Sequence, residues 1–288
     1  MKWSFKIARV FGIEIRLHLI FILLLLWIGL DQWSAHGPAA ASWTVGRLSL
    51  LFVFVLLHEI GHSLVAKRYG VRVQDIVLTP IGGMSRMSNI PENPNTELKI
   101  AVCGPAVNVL IAAVLMPVFF ILTAWYGPAT LSLQDMNIPT PPGIVLEMIA
   151  MNMILALFNV LPVFPMDGGR ILRATLAKFF PYVTATRIAA GTGRTVAIGA
   201  LAVGFILNYQ WMLNQPLLII IAAFIYMAGW QEQRMVEMQH APTAPGQPIE
   251  TTGMVLPDNA PPTDDATKAF GDLAQRLEEI KNRGQAPR

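Results

Sequence analysis

The chain holds a single cysteine, Cys103, so it forms no disulfide within itself and offers no cysteine-built metal site. Charge is scarce too. Asp, Glu, Lys and Arg make up 14% of the 288 residues, against about 25% in an ordinary soluble domain. So few charges cannot clothe a water-facing surface of this size, and a soluble globule is excluded. The net charge of +3 does not point to nucleic acid, because the basic residues are spread along the chain with no base-reading module among them. No internal repeat is visible. Cys103 lies in an apolar stretch and reads as a small buried residue.

What is abundant is apolar. Hydrophobic residues reach 54% and the mean hydropathy is +0.51. Apolar segments run over 17–34, 46–67, 100–125, 144–162, 193–208 and 213–230. The expected fold is an all-α polytopic membrane protein of about six transmembrane helices. The 193–208 segment is the weakest of these, since it carries Arg194 and two glycines. Basic residues cluster in alternate connections: Lys2, Lys6, Arg9 and Arg16 before the first span, Lys67 to Lys99 between the second and third, Arg170 to Arg194 between the fourth and fifth. Arg47 alone falls in the other set. The positive-inside rule then places both termini in the cytosol. A rival reading takes the basic start, the apolar run 17–30 and Ala39-Ala40-Ala41 as a cleaved signal peptide.

Between the second and third spans, VRVQDIVLTPIGGMSRMSNI (71–90) alternates, breaks at Pro80 and Gly82-Gly83, and alternates again. That pattern suggests a small membrane-associated β-hairpin, with a plain loop as the other reading. Residues 1–230 form the expected transmembrane core. Residues 231–288 form a cytosolic tail, Pro- and Thr-rich through 242–263, with a short amphipathic helix over 267–282.

Chemistry concentrates at residues 58–62, HEIGH, inside the second apolar segment. His58 and His62 are four apart and leave one face of a helix, the spacing of a zinc-binding HExxH motif. Ionisable groups at membrane depth are costly and mark functional sites. A catalytic zinc takes three protein ligands and keeps one position open. His18, His36 and His240 lie near or beyond the edges of the spans, and Glu147 reads as a solvated helix end. Asp167 is the better third ligand. It follows the fourth span in LFNVLPVFPMDGGR, where Pro162 and Pro165 end the helix and Gly168-Gly169 allow a sharp turn. Irregular backbone at that depth is tolerated where it is buried in protein or lines a wet cavity. The bland account of Asp167 is a helix cap or a pair with Arg170. Asn152 and Asn159 share a face of the fourth span, and Asn108 lies in the third. Interhelical hydrogen bonding accounts for Asn108 and Asn152. For Asn159 that account stands beside a catalytic one, in which its amide holds a substrate carbonyl or an oxyanion.

HEIGH in a span, IGGMSRM in the next connection, CGPAVN in the third span and FNVLPVFPMDGGR after the fourth together resemble the site-2 protease family of intramembrane zinc metalloproteases. The likeness covers residues 10–230 in order. It implies one Zn2+ per chain held by His58, His62 and Asp167, and Glu59 as general base. It implies a substrate that is itself a membrane-spanning helix, and a prokaryotic inner membrane as location. The chain departs from many members in lacking room for a PDZ-like insertion between its spans. Two other classes remain at this stage: a permease whose His-Glu-Asp cluster conducts a metal or proton, and an inactive membrane scaffold.

Overall fold

The computed structural model describes residues 3–80, 82–88, 92–127, 140–213 and 216–240. The chain opens with two antiparallel strands, β1 (Ser4–Val10) and β2 (Ile13–His18). The turn between them places Phe11 and Gly12 at φ 52° and 79°, the left-handed pair that matches the twist of a tight hairpin. β2 runs without a break into helix α1 (Leu19–His36). His18 caps the start of this helix: its Nδ1 accepts from the Ile20 N–H at 3.3 Å.

Gly37, at φ 86°, turns the chain, and Pro38 starts α2 (Pro38–Arg68), a helix of 31 residues. After three residues the chain forms β3 (Arg72–Thr79) and then β4 (Gly82–Ser88). The four strands make one sheet in the order β1-β2-β3-β4, with β2 and β3 parallel and the other pairs antiparallel. Buried Asp75 of β3 locks this register, bonded by the Arg86 guanidinium from β4 with Arg16 of β2 at 3.8 Å.

Next come α3 (Pro94–Tyr126), capped by the Asn93 side chain, α4 (Pro141–Val160), capped by Thr140, the short α5 (Asp167–Leu176), α6 (Tyr182–Leu213) and α7 (Pro216–Gln239). Among the described residues five helices, α1, α2, α3, α4 and α6, are long and apolar enough to cross a membrane. Large apolar side chains such as Trp27, Leu110, Ile154 and Leu157 point outward from them. Helices apolar on their outer faces need hydrocarbon as solvent, and the chain is an integral membrane protein.

The expectation of an all-α molecule needs correction. The structure is mostly helical with a four-stranded sheet, because the basic start of the chain, read as a leader to the first span, alternates Phe5 and Ile7 with Lys6 and pairs as β1. Residues 72–79 and 82–88, expected as a hairpin, are β3 and β4. Of residues 213–230, expected as a sixth span, Leu213 ends α6 and 216–230 lie in α7. Residues 231–239, expected to begin the tail, continue α7, and the expected linker and helix over 267–282 lie outside the described residues.

Candidate metal centre

His58 and His62 leave α2 one turn apart and are buried. Asp167, the first residue of α5, is brought to them from 105 positions away. Asp167 Oδ2 lies 3.1 Å from His58 Nε2 and 2.9 Å from His62 Nε2, and the two imidazole nitrogens are 3.1 Å apart. The three atoms form a nearly equilateral triangle.

The chemistry of this donor set decides what fits it. His62 Nδ1 lies 2.7 Å from the carbonyl oxygen of Ile100, an acceptor, and so carries the ring proton. The Nε2 of the neutral ring is then a lone pair, and it faces a carboxylate oxygen and a second imidazole nitrogen. Converging lone pairs repel unless a cation sits among them. Zinc with ligands at about 2.0–2.1 Å in a tetrahedron sets its ligands about 3.3 Å apart, close to the spacing found. The Ile100 carbonyl orients one ligand from behind, as the partners of metal-bound histidines usually do. His58 Nδ1 is buried with no protein partner.

Glycines admit the parts. A Cβ on Gly104 of α3 would stand 2.1 Å from His62 Nε2. At Gly168 it would stand 2.0 Å from the Leu161 carbonyl oxygen, and at Gly169 2.8 Å from the Phe164 nitrogen. Gly168 and Gly169 were expected to turn the chain. They lie instead in the first turn of α5 with no positive φ, and they are needed because α5 packs directly on the 161–164 backbone.

Glu59 follows His58 and meets the sheet. Ser85 of β4 donates its hydroxyl to Glu59 Oε2, and Ser63 Oγ lies 3.5 Å from Ser85 Oγ. A Cβ on Gly83 would stand 2.5 Å from Glu59 Cγ, so Gly83 lets β4 approach α2. β4 is an edge strand, and its outer backbone groups are unpaired within the sheet.

Asn159 is not drawn into this cluster. Its amide donates to the Leu155 carbonyl on its own helix at 2.9 Å, and among the described residues no hydrogen bond links it to His58, Glu59, His62 or Asp167. Asn152 bonds the Met148 carbonyl in the same way. Asn108, expected to bond between helices, is fully buried with no partner for its amide.

Sequence reasoning missed the anchor of α5. Arg173 is buried and bonded to Glu97 of α3, with Nε at 2.9 Å, and to Glu232 of α7. Its guanidinium also lies 5.2 Å from the Phe164 ring centre and 5.1 Å from that of Tyr182. No local signal betrays this cluster, because its carboxylates lie 76 and 59 positions away. Ser85 and Gly104 were present in the quoted motifs IGGMSRM and CGPAVN, yet their partners are visible only in three dimensions.

The model of peptidase family M50 matches residues 47–138 and 140–202, more than half of the chain. A zinc metalloprotease of Methanocaldococcus jannaschii is 39% identical over 240 residues, covering 83% of this chain and 63% of the relative. The Rip3 protein of Mycobacterium tuberculosis, also named for zinc metalloprotease, is 29% identical over 258 residues, covering 83% of this chain and 61% of its own length. The chain thus spans less than two thirds of these curated relatives. Among solved structures, a site-2 protease from Methanocaldococcus jannaschii aligns with a TM-score of 0.54 and 35% identity, over 81% of this chain and 96% of that one.

Proposed function

The chain belongs to peptidase family M50, and from that premise we propose that it is an intramembrane zinc-dependent endopeptidase of the site-2 protease type. The observation that carries the reading is the triangle of His58 Nε2, His62 Nε2 and Asp167 Oδ2, three atoms of zinc-ligand type held about 3 Å apart with no Lys or Arg between them. His58, His62 and Asp167 are the proposed ligands of one Zn2+. Bound there, zinc supplies a water acidified toward neutrality and a polarised scissile carbonyl. Glu59, beside the ligands and held by Ser85, takes a proton from the attacking water and delivers it to the leaving amine. Asn159 is proposed to hold the substrate carbonyl, which requires its amide to release Leu155.

The substrate of this reading is a membrane-anchored protein cut within its own spanning helix. Such a helix hides its peptide bonds and must unwind before attack. The free edge of β4, next to Glu59, suits an unwound segment pairing as an added strand. We place the sheet side of the molecule and both termini in the cytosol, in the inner membrane of a prokaryote, with residues 216–230 of α7 in a sixth span and residues 231–288 as a cytosolic tail. The basic residues of alternate connections support that orientation.

The test uses the full chain co-expressed with a tagged single-span substrate. Glu59→Gln keeps about one zinc per chain and lowers cleavage by roughly a hundredfold or more. Undiminished cleavage by that variant rejects Glu59 as the base, and a wild-type chain without bound metal rejects the whole reading.

A further inference from the structure

A second concave feature lies at the C-terminal end of α2. α2 ends at Arg68, and Gly70, at φ 79°, turns the chain away into β3 while α3 runs on alongside. The divergence leaves a groove of about 590 Å³ between the two helices. From α2 it takes Val65, Arg68 and Tyr69, at positions i, i+3 and i+4. From α3 it takes Leu98 and a stripe of Lys99, Val102, Cys103 and Ala106, at i, i+3, i+4 and i+7.

The groove is polar at one end and apolar along the rest. Arg68 closes α2 and Lys99 lies in the second turn of α3, so both cations stand at the end nearest the sheet. Val102 to Ala106 then carry the apolar floor about 6 Å further along α3. Neither cation meets a carboxylate among the described residues. Lys99 Nζ donates to the Tyr69 hydroxyl oxygen at 3.1 Å and lies 5.4 Å from the centre of that ring, and Arg68 has no ion pair. Arg16, Arg47, Arg86 and Arg173, by contrast, each face an acidic partner.

We infer that this groove binds an anionic phospholipid, with its phosphate between Arg68 and Lys99 and one acyl chain along Val102 and Ala106. Two unneutralised cations select an anion, and basic pockets between membrane helices are suited to phospholipid head groups. The apolar floor selects an anion that carries a hydrocarbon tail. A zwitterionic lipid forfeits the charge term and a free phosphate forfeits the tail. The α3 wall of the groove is also the wall behind the metal centre: Ile100, which bonds His62, follows Lys99, and Gly104, which admits the His62 ring, follows Cys103. A lipid seated here braces the helix pair that orients one zinc ligand. The inference does not depend on whether the chain cleaves peptides.

The experiment is lipid titration of the full-length chain in detergent, read by native mass spectrometry with phosphatidylglycerol and with phosphatidylcholine of the same acyl chains. Wild type retains phosphatidylglycerol in preference. The double variant Arg68→Gln/Lys99→Gln binds it roughly thirtyfold more weakly, the worth of two surface cations, and binds phosphatidylcholine as before. The double variant Arg9→Gln/Arg72→Gln removes the same charge elsewhere and leaves the preference intact. Ala106→Trp keeps both cations, fills the floor, and also weakens phosphatidylglycerol binding. Inorganic phosphate does not compete at concentrations matched to the lipid. Equal losses in the two double variants, no preference over phosphatidylcholine, undiminished binding by Ala106→Trp, or displacement by inorganic phosphate each overturn the inference.

Discussion

The two ends of α5 hold two buried charge clusters, six residues and about 9 Å apart, and they are opposites. At Arg173 a protein cation sits among its partners, two carboxylates and two aromatic faces, with Glu97 Oε2 left unbonded among the described residues. At Asp167 no such cation is present: a carboxylate oxygen and two imidazole nitrogens converge with no Lys or Arg among them. Burying charge costs several kcal/mol per ion unless it is matched, so a fold retains an unmatched cluster only where something else completes it. The Arg173 cluster ties α5 to Glu97 of α3 and Glu232 of α7. The other, carried by the same helix, is the proposed metal site.

The largest test of that contrast is Asp167→Ala. Zinc content measured by atomic emission falls from about one per chain to near zero, and cleavage falls with it. A chelator then lowers the thermal midpoint of the wild type and leaves that of the variant unchanged, because only a ligand bound to the folded state stabilises it. Next in size is Arg173→Met. It strands Glu97, which is almost wholly buried, and costs about 3–5 kcal/mol of stability, read as a lowered unfolding midpoint in detergent. Adding Glu97→Gln recovers part of that loss, since the stranded charge is its main source. Added zinc does not recover it. Smallest is Gly104→Ala, whose methyl crowds the His62 ring. It weakens zinc affinity by about tenfold in competition with a chromophoric chelator while the fold persists. An Arg173 variant of full stability, or a Gly104 variant with unaltered affinity, breaks the assignment of roles to the two ends.

What the sequence made readable follows from the range of each interaction. The His58–His62 pair is encoded in one helical turn, so its spacing suffices. Asp167 was found through the Pro and Gly residues around it, though the glycines serve close packing on Leu161 and Phe164 and not a turn. The apolar segments located the long helices because hydrocarbon imposes a run length that periodicity does not blur. β1 and β2 escaped because their cations read as a leader, and because the pairing of β2 with β3 joins residues about 60 positions apart. α5 escaped because ten residues flanked by prolines and opening with two glycines carry little helix propensity of their own. Its clamp lies in Arg173 and two carboxylates that are remote in the chain.

The sheet hangs from helix ends on very short tethers. β2 enters α1 with no residue between them, Leu19 N–H bonds the Trp3 carbonyl, and only Tyr69 to Val71 separate α2 from β3. Such a shelf cannot slide along the bilayer normal independently of α2, so the distance from Glu59 to β4 is built in. For a substrate of the proposed kind, the cut then falls at a depth metered by the enzyme. Lengthening a target's helix on one side shifts which residues are severed, with no change in the motif it presents.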